Sequence, residues 1–429
     1  MRLFVRSVLA VIVLLGGGAC IAASDNTAAY PLDPRIRWVY DAPAPIYYGS
    51  PALSTDGLTV YVGTSSALLG AVPRQESLIA LEVATGAVRW TYPLGLAEVR
   101  SSPAVAPDGS ITVLVEERNP SGGFVGNDVV RVSPTGTLVW KRALGVAPER
   151  VDIGFSAPAI GTDGSVYVAT DSLYAIRPEG TIRWTRFFTG EDLRASPAIG
   201  SDGTIYFVSH NLPLTAMHPD SGRVLWALPL GVQEHVFAAP AIGTDGSIYV
   251  AASDCKLYSV SAVGALQWTY DATSGSSACA FRSSPAIGAD GTIYLGSVDR
   301  TPRPVLFAVR PNGAPRWTFS PSDLPVDVAA EHFDIYSSPA IGSDGAVYFG
   351  HEFGRIYSID AQTGGQRWMV RTKTVTGITW SSPVVTVNGI LIINDLQGRV
   401  HALNTESAGL QSTAPWPRFR GSNRSAGRR

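Results

Sequence analysis

Short apolar runs separated by a glycine-containing turn recur along this chain. Residues 283–297, SSPAIGADGTIYLGS, contain one apolar run after Ser-Pro, an Asp-Gly turn and a second apolar run. Asp-Gly between apolar runs predicts a β-hairpin, because glycine adopts a positive φ without steric cost. Eight copies, 39 to 55 residues apart, begin at Ser50-Pro51, Ser102-Pro103, Ala157-Pro158, Ser196-Pro197, Ala239-Pro240, Ser284-Pro285, Ser338-Pro339 and Ser382-Pro383.

A second pattern follows most copies and ends in tryptophan. An apolar run, a polar turn with glycine and a Trp occupy residues 80–90, 175–184 and 358–368. Each period therefore holds four short strands, A to D, and a period of this size predicts a ring of blades, a β-propeller. The eight motif tryptophans are Trp38, Trp90, Trp140, Trp184, Trp226, Trp268, Trp317 and Trp368.

The two ends of the chain are predicted to share one blade. The last unit, residues 381–404, has strands A, B and C but no Trp strand, whereas Trp38 precedes the first Ser-Pro pair. Residues 35–40 can supply the missing strand. We therefore predict an all-β fold, an eight-bladed β-propeller of four-stranded antiparallel blades over residues 35–405, closed by an N-terminal strand in the last blade.

These motifs resemble the repeat of the pyrroloquinoline-quinone (PQQ) family of eight-bladed propellers. The similarity rests on the Ala-Leu-x-x-x-Thr-Gly-x-x-x-Trp pattern of residues 80–90 and on the Ser-Pro-Ala-Ile and Asp-Gly-x-Ile-Tyr pieces. The resemblance implies that each motif Trp is structural and docks between neighbouring blades. The turn aspartates are alone in their loops, so we interpret them as turn residues and not as calcium ligands.

The amino terminus resembles an export signal. Arg2 and Arg6 precede the apolar residues 8–15 and a run of small residues, so residues 1–23 are interpreted as a signal peptide and residues 24–34 as a linker. Residues 18–20, Gly-Ala-Cys, resemble the end of a bacterial lipobox, although Gly17 departs from that motif. Either Cys20 is lipidated or cleavage occurs near residue 23. The predicted location is the periplasm, the outer membrane through that anchor, or the bacterial cell surface.

The loops of variable length fall on one face of the predicted ring. We call this side, which carries the B–C and D–A connections, the loop face, and the side with the A–B and C–D turns the turn face. Variable loops on a rigid scaffold are where binding usually resides. Cys255 and Cys279 both fall on the loop face, either as a disulfide in an oxidising compartment or as two separate thiols.

Aligning the units exposes a ring of candidate ligand-binding residues. Three residues before each proline stand Tyr48, Arg100, Phe155, Arg194, Phe237, Arg282, Tyr336 and Trp380. Asp192, His235 and Asp334 lie two positions before Arg194, Phe237 and Tyr336 and are further candidates. Residues two apart on a strand point to the same face, so both sets would face the channel. Arginines beside aromatic rings suit a planar or anionic ligand in the channel mouth. Alternatively, Arg100 and its counterparts pair with Glu98, Asp192 and neighbouring carboxylates to plug the channel.

The carboxyl-terminal residues 406–429 follow the last blade. Residues 413–427 resemble a Trp-Pro-x-Phe segment found at an end of such propellers. Its arginines, with Arg428 and Arg429, could be a solvated tail or a small contact patch, and we predict the tail.

The predicted function is binding and not catalysis. A net charge of −2 gives no reason to expect nucleic acid. The chain has no adjacent cysteines, no Cys-x-x-Cys-His and no metal-ligand spacing of its histidines. We therefore expect an exported scaffold, a monomer without cofactor, metal or catalytic residues, similar to the propeller lipoprotein of the outer-membrane barrel-assembly machinery. Its ligand would be an envelope or extracellular protein, or a small molecule in the central funnel, with membrane contact only through a lipid anchor.

The runner-up hypothesis is an enzyme. The resemblance also implies a quinoprotein dehydrogenase that oxidises an alcohol or a sugar. PQQ with calcium is expected only under this alternative.

Overall fold

The fold is known from a computed structural model. It describes residues 33–47, 49–65, 76–144, 156–188, 193, 195–209, 212–230, 238–273, 279–299, 305–321, 333–352, 354–372, 380–422 and 424–428. Every secondary-structure element in these ranges is a β-strand. The same ranges contain no helix that is long and apolar enough to cross a membrane.

The first four blades follow the order of the chain. β1 (Ile36–Asp41) comes first but belongs to the last blade. Blade 1 contains β2 (Ala52–Leu53), β3 (Thr59–Gly63), β4 (Glu76–Glu82) and β5 (Val88–Gly95). Blade 2 contains β6 (Glu98–Val99), β7 (Ala104–Val105), β8 (Ile111–Arg118), β9 (Phe124–Val132) and β10 (Leu138–Ala143). Blade 3 contains β11 (Ala159–Ile160), β12 (Val166–Ala169), β13 (Ser172–Ile176) and β14 (Ile182–Phe187). Blade 4 contains β15 (Ala198–Ile199), β16 (Ile205–Phe207), β17 (Leu214–Met217) and β18 (Val224–Leu228).

The remaining four blades complete the ring. Blade 5 contains β19 (Ala241–Ile242), β20 (Ile248–Ala251), β21 (Lys256–Val260) and β22 (Leu266–Asp271). Blade 6 contains β23 (Cys279–Phe281), β24 (Ala286–Ile287), β25 (Ile293–Asp299), β26 (Leu306–Val309), β27 (Pro315–Phe319) and β28 (Phe333–Asp334). Blade 7 contains β29 (Ala340–Ile341), β30 (Ala346–His351), β31 (Arg355–Asp360) and β32 (Gln366–Arg371). Blade 8 contains β33 (Val384–Val385), β34 (Ile390–Asn394), β35 (Arg399–Asn404) and β1.

The predicted closure by the N-terminal strand is confirmed. β1 pairs antiparallel with β35, with Val39 opposite His401 and Tyr40 opposite Val400. The Trp38 Nε1 then donates a hydrogen bond of 2.9 Å to the Val83 carbonyl of blade 1. The first strand of the chain thus completes blade 8 and joins that blade to its neighbour.

The motif tryptophans dock against the next blade. Like Trp38, six further indole nitrogens donate to a C–D turn carbonyl: Trp90 to Pro134, Trp140 to Pro178, Trp184 to Pro219, Trp226 to Ala262, Trp268 to Pro311 and Trp317 to Ala361. A turn glycine lies against each of these rings; at Gly86 a Cβ would come within 2.7 Å of Trp38. The eighth indole, Trp368, is 8% exposed, and the Arg35 guanidinium lies 5.3 Å from its centroid.

Two blades carry additional strands on the loop face. In blade 2, β6 pairs with the far end of β8. In blade 6, β23 and β28 both pair with the far end of β25. The loop face therefore has hydrogen-bonded structure of its own at blades 2 and 6, four positions apart in a ring of eight.

The carboxyl-terminal segment is buried in the channel, so the prediction of a solvated tail is wrong. Trp416, Arg418 and Arg420 are fully buried. Inner strands A have a free edge toward the axis, and the carbonyl groups of the segment accept hydrogen bonds from those edges. These bonds are Ile287 N–H to Trp416, Ile341 to Pro417, Val105 to Arg424, Ile160 to Ala426 and Ile199 to Gly427, with lengths of 2.7 to 2.9 Å.

Trp38→Ala should open the ring at the joint between blades 8 and 1. We expect the free energy of unfolding to fall by about 3 kcal/mol, because a large packed ring and its hydrogen bond are lost. Urea denaturation followed by circular dichroism measures the change. Val39→Ala, at an exposed position of the same strand, is the control and should cost less than about 1 kcal/mol. Equal effects of the two substitutions would contradict this account of the closure.

Candidate functional site

A ring of serine hydroxyls joins the inner strands of neighbouring blades. In most blades a serine directly precedes the proline at the start of strand A, and in two blades an alanine takes its place. The backbone N–H of this residue donates to the Oγ of the corresponding serine in the next blade. The bonds run from Ser50 to Ser102, Ala157 to Ser196, Ala239 to Ser284, Ser284 to Ser338, Ser338 to Ser382 and Ser382 to Ser50, at 2.8 to 3.0 Å. Where the next blade has Ala157 or Ala239, no hydroxyl is available. We call these hydroxyls the serine ring.

A small cavity lies above the serine ring on the axis. It has a volume of about 60 Å³ and is lined by all six serines of the ring together with Arg282, Tyr336, Trp380 and Phe419. Phe419 belongs to the carboxyl-terminal segment, which fills the channel from the turn face. The other three residues precede strands A and lie toward the loop face. We call this cavity and the part of the channel beside these three residues the funnel.

Three of the predicted ligand-binding residues form one wall of this funnel. Arg282, Tyr336 and Trp380 come from the starts of three successive blades. The Arg282 guanidinium lies 5.7 Å from the centroid of the Tyr336 ring, which stacks on Trp380 at 4.1 Å between centroids. A guanidinium and two aromatic faces in a row can stack against a planar group and attract an anion.

Arg100 is placed in a buried cluster of charges. Its Nε lies 3.4 Å from Glu98 and 3.1 Å from Glu116, and Arg118 lies 3.8 Å from Glu98 and also pairs with Glu116. The geometry follows from the pairing of β6 with β8, which sets Glu98 opposite Glu116. At this blade the arginine pairs with carboxylates, as in the plug alternative. Burial raises the pKa of nearby Tyr47, and the charge of Arg100 partly offsets that rise.

Several candidate residues lie outside the described residues. These are Tyr48, Phe155, Asp192, Arg194, His235 and Phe237, together with Cys20 and its signal segment. Asp334 is described only through its backbone in β28. For these positions the sequence-based predictions stay predictions.

A disulfide joins Cys255 and Cys279, with 5.4 Å between their Cα atoms. Cys255 lies in the B–C turn of blade 5, with φ of 60°, and Cys279 begins β23. The bond therefore ties one of the additional strands of the loop face to the neighbouring blade.

PQQ with calcium would need room in the channel and a cluster of metal-binding side chains. The cavity on the axis is small, with a volume of about 60 Å³. Within the described ranges no three His, Cys, Asp or Glu side chains come together as a metal site would require.

The comparisons with known proteins agree with the architecture. The family model described as "Outer membrane protein assembly factor BamB" matches residues 170–407, more than half of the chain. No curated protein sequence matches significantly.

Among solved structures, BamB from Moraxella catarrhalis is 14% identical with a TM-score of 0.57, over 86% of this chain and 97% of that one. Quinohemoprotein alcohol dehydrogenase from Comamonas testosteroni is 14% identical with a TM-score of 0.62, over 86% and 76%. The computationally designed Ika8 protein is 14% identical with a TM-score of 0.59, over 85% and 100%. At these identities the likeness shows the fold alone.

Ser50→Ala should weaken the serine ring. The buried Ser382 N–H would lose its acceptor, which should lower the free energy of unfolding by about 1 to 2 kcal/mol. Urea denaturation measures the loss against Ser133→Ala, whose hydroxyl lies in an exposed turn. If Ser133→Ala costs as much as Ser50→Ala, the ring does not stabilise the axis.

Removing the disulfide by Cys255→Ser with Cys279→Ser should lower stability by about 2 to 4 kcal/mol, since the bond closes a loop between residues 24 apart. The mass of the non-reduced protein should be lower by two hydrogens than that of the reduced protein. A reducing agent should lower the melting temperature of the parent chain but not that of the double variant. Two free thiols in the non-reduced protein would contradict the pairing.

Proposed function

The chain belongs to the propeller family described as outer membrane protein assembly factor BamB, and from that premise we propose that it is a non-catalytic scaffold of the bacterial envelope. In this proposal it binds a protein partner through the loop face. The observation that carries the proposal is the family match over residues 170–407. The organisation of the two faces supports it.

The two faces of the ring differ in what they offer a partner. The turn face has short turns, and the end of the channel on that side is filled by the chain's own residues 406–422 and 424–428. The loop face carries β6, β23 and β28, which are additions to the four-stranded blade. Structural variation confined to one side of a rigid scaffold is typical of a recognition surface.

The loop face also presents exposed apolar side chains on hydrogen-bonded strands. Phe187, at the end of β14, is 68% exposed, and Val125, in β9, is 49% exposed. Aromatic anchors on rigid elements bind a partner with little loss of conformational entropy. Phe187 is our candidate anchor, and Val125 is a further exposed apolar position on this face.

Export is part of the proposal. The signal-like residues 1–23 and the disulfide both suit an oxidising compartment outside the cytoplasm. Cys20 would add a lipid anchor if the lipobox-like sequence is processed as one. Ordinary cleavage near residue 23 would release a soluble periplasmic scaffold.

The quinoprotein dehydrogenase remains the second candidate because a quinohemoprotein alcohol dehydrogenase shares the fold. The size of the funnel cavity supports the scaffold instead. Adding PQQ and calcium to the purified protein should produce neither stoichiometric binding nor dye-linked oxidation of alcohols or sugars. Tight binding with turnover would overturn the scaffold proposal.

Docking on the loop face can be tested with two matched positions. A photo-crosslinking amino acid at Phe187 should trap a discrete protein species in envelope fractions. The same group at Val263, which is 81% exposed in a C–D turn of the turn face, should not. In binding assays with the trapped partner, Phe187→Asp should weaken the complex at least about tenfold, the loss expected for an anchor residue, and Val263→Asp should leave it unchanged. Crosslinks only from Val263 would place the interface on the wrong face.

A further inference from the structure

Two arginines of the carboxyl-terminal segment are enclosed in the channel. Arg418 and Arg420 are each 0% exposed. The Arg418 Nη1 donates to Ser425 Oγ at 2.8 Å and to the Ser422 carbonyl at 2.9 Å, and its Nη2 reaches the Ser382 carbonyl at 3.4 Å. The Arg420 Nη2 donates to the Pro158 carbonyl. Every one of these acceptors is neutral.

The charge of the two guanidinium groups is not balanced by the described residues. No carboxylate in the described ranges forms an ion pair with either group. The Nε of Arg418 and the Nε and Nη1 of Arg420 have no hydrogen-bond partner there. A buried guanidinium without a counter-charge is costly, and donors without acceptors add to that cost.

Neutralisation of the arginines does not remove the problem. Burial lowers the pKa of both groups to about 9, and the charge of Arg418 contributes to the lowering at Arg420. Both groups therefore stay protonated at neutral pH. Since the charge of Arg418 acts on Arg420, the channel holds two neighbouring positive charges away from solvent.

The backbone at this place is also strained. Arg420 has a φ of 61°, in the left-handed region that residues with a Cβ seldom adopt. Such a conformation persists where surrounding interactions over-determine it. Two donors of the Arg420 side chain nevertheless have no hydrogen-bond partner among the described residues.

We propose that Arg418 and Arg420 bind a small monovalent inorganic anion, of the size of chloride, in the closed end of the channel. The anion accepts hydrogen bonds from the three unpaired donors and offsets the two positive charges. A monovalent ion is favoured over phosphate because both guanidinium groups are fully enclosed, and a divalent or larger anion costs more to dehydrate and to accommodate. The ion would be a structural part of the segment that closes the channel.

Thermal unfolding of the full chain tests the site, with sodium chloride exchanged for sodium gluconate at constant ionic strength. An ion that binds only the folded state raises the melting temperature, by about 2 °C for each tenfold rise in chloride above its dissociation constant. Arg420→Met should lose this dependence. Arg223→Met, at an exposed arginine, should keep it. A melting temperature that does not depend on chloride would mean that water or the chain itself satisfies the arginines, and the proposal would be wrong.

A second measurement does not depend on the variant folding. Crystals of the parent protein grown in sodium bromide should give an anomalous peak beside Arg418 and Arg420. Bromide absent from this position while it is present at surface sites would overturn the proposal.

Discussion

The inner edge of the propeller is the constraint on which the rest of the structure depends. The inner strand A of each blade has two residues; its outer side is paired and its inner side faces the axis. Buried backbone groups must find partners. Serine hydroxyls accept the N–H groups of one neighbouring blade, and carbonyl groups of the carboxyl-terminal segment accept those at Val105, Ile160, Ile199, Ile287 and Ile341. Hydrogen bonds thereby join the blades near the axis, while the motif tryptophans join them farther out.

The tryptophan bonds and the carboxyl-terminal segment lie on the turn face, whereas on the loop face neighbouring blades are joined by bonds such as Val99 N–H to the Thr64 carbonyl and by the disulfide. The indole bonds are made to C–D turns, and the carboxyl-terminal segment enters beside the A–B turns, so both belong to the turn face. Connections on the opposite side can lengthen without disturbing either set. The additions at blades 2 and 6 occur there, and the disulfide holds one of them in place. A binding function on the loop face is compatible with the closure for this reason.

The parts of the fold that recur in the sequence could be predicted, and the parts that occur once could not. Seven Asp-Gly turns, one Asn-Gly turn and eight tryptophans recur along the chain. Their number predicted the eight blades, and the position of Trp38 before the first unit predicted the closure by β1. The carboxyl-terminal segment has no repeat, and its arginines resemble those of a solvated tail. Its pairing uses backbone carbonyls, which leave no side-chain signal. Within the funnel, alignment found Arg282, Tyr336 and Trp380, whereas Glu116 and Arg118 were missed because the extra pairing of β6 with β8 is not part of the common repeat. Glu116 and Arg118 are two residues apart on one strand, and this spacing could have indicated that their side chains share a face.

The arginines of the channel differ in their partners, and their positions along the channel explain the difference. Arg100 has carboxylates on both adjoining strands and is neutralised within blade 2. Arg282 lies against an aromatic row at the side that opens to the loops. Arg418 and Arg420 reach only carbonyl and hydroxyl oxygens, because strands A present their backbone and their serines to the axis. Neutral acceptors satisfy hydrogen-bond geometry but do not cancel charge. The two buried arginines of the closing segment therefore favour a counter-ion at the axis, which is the anion that we propose.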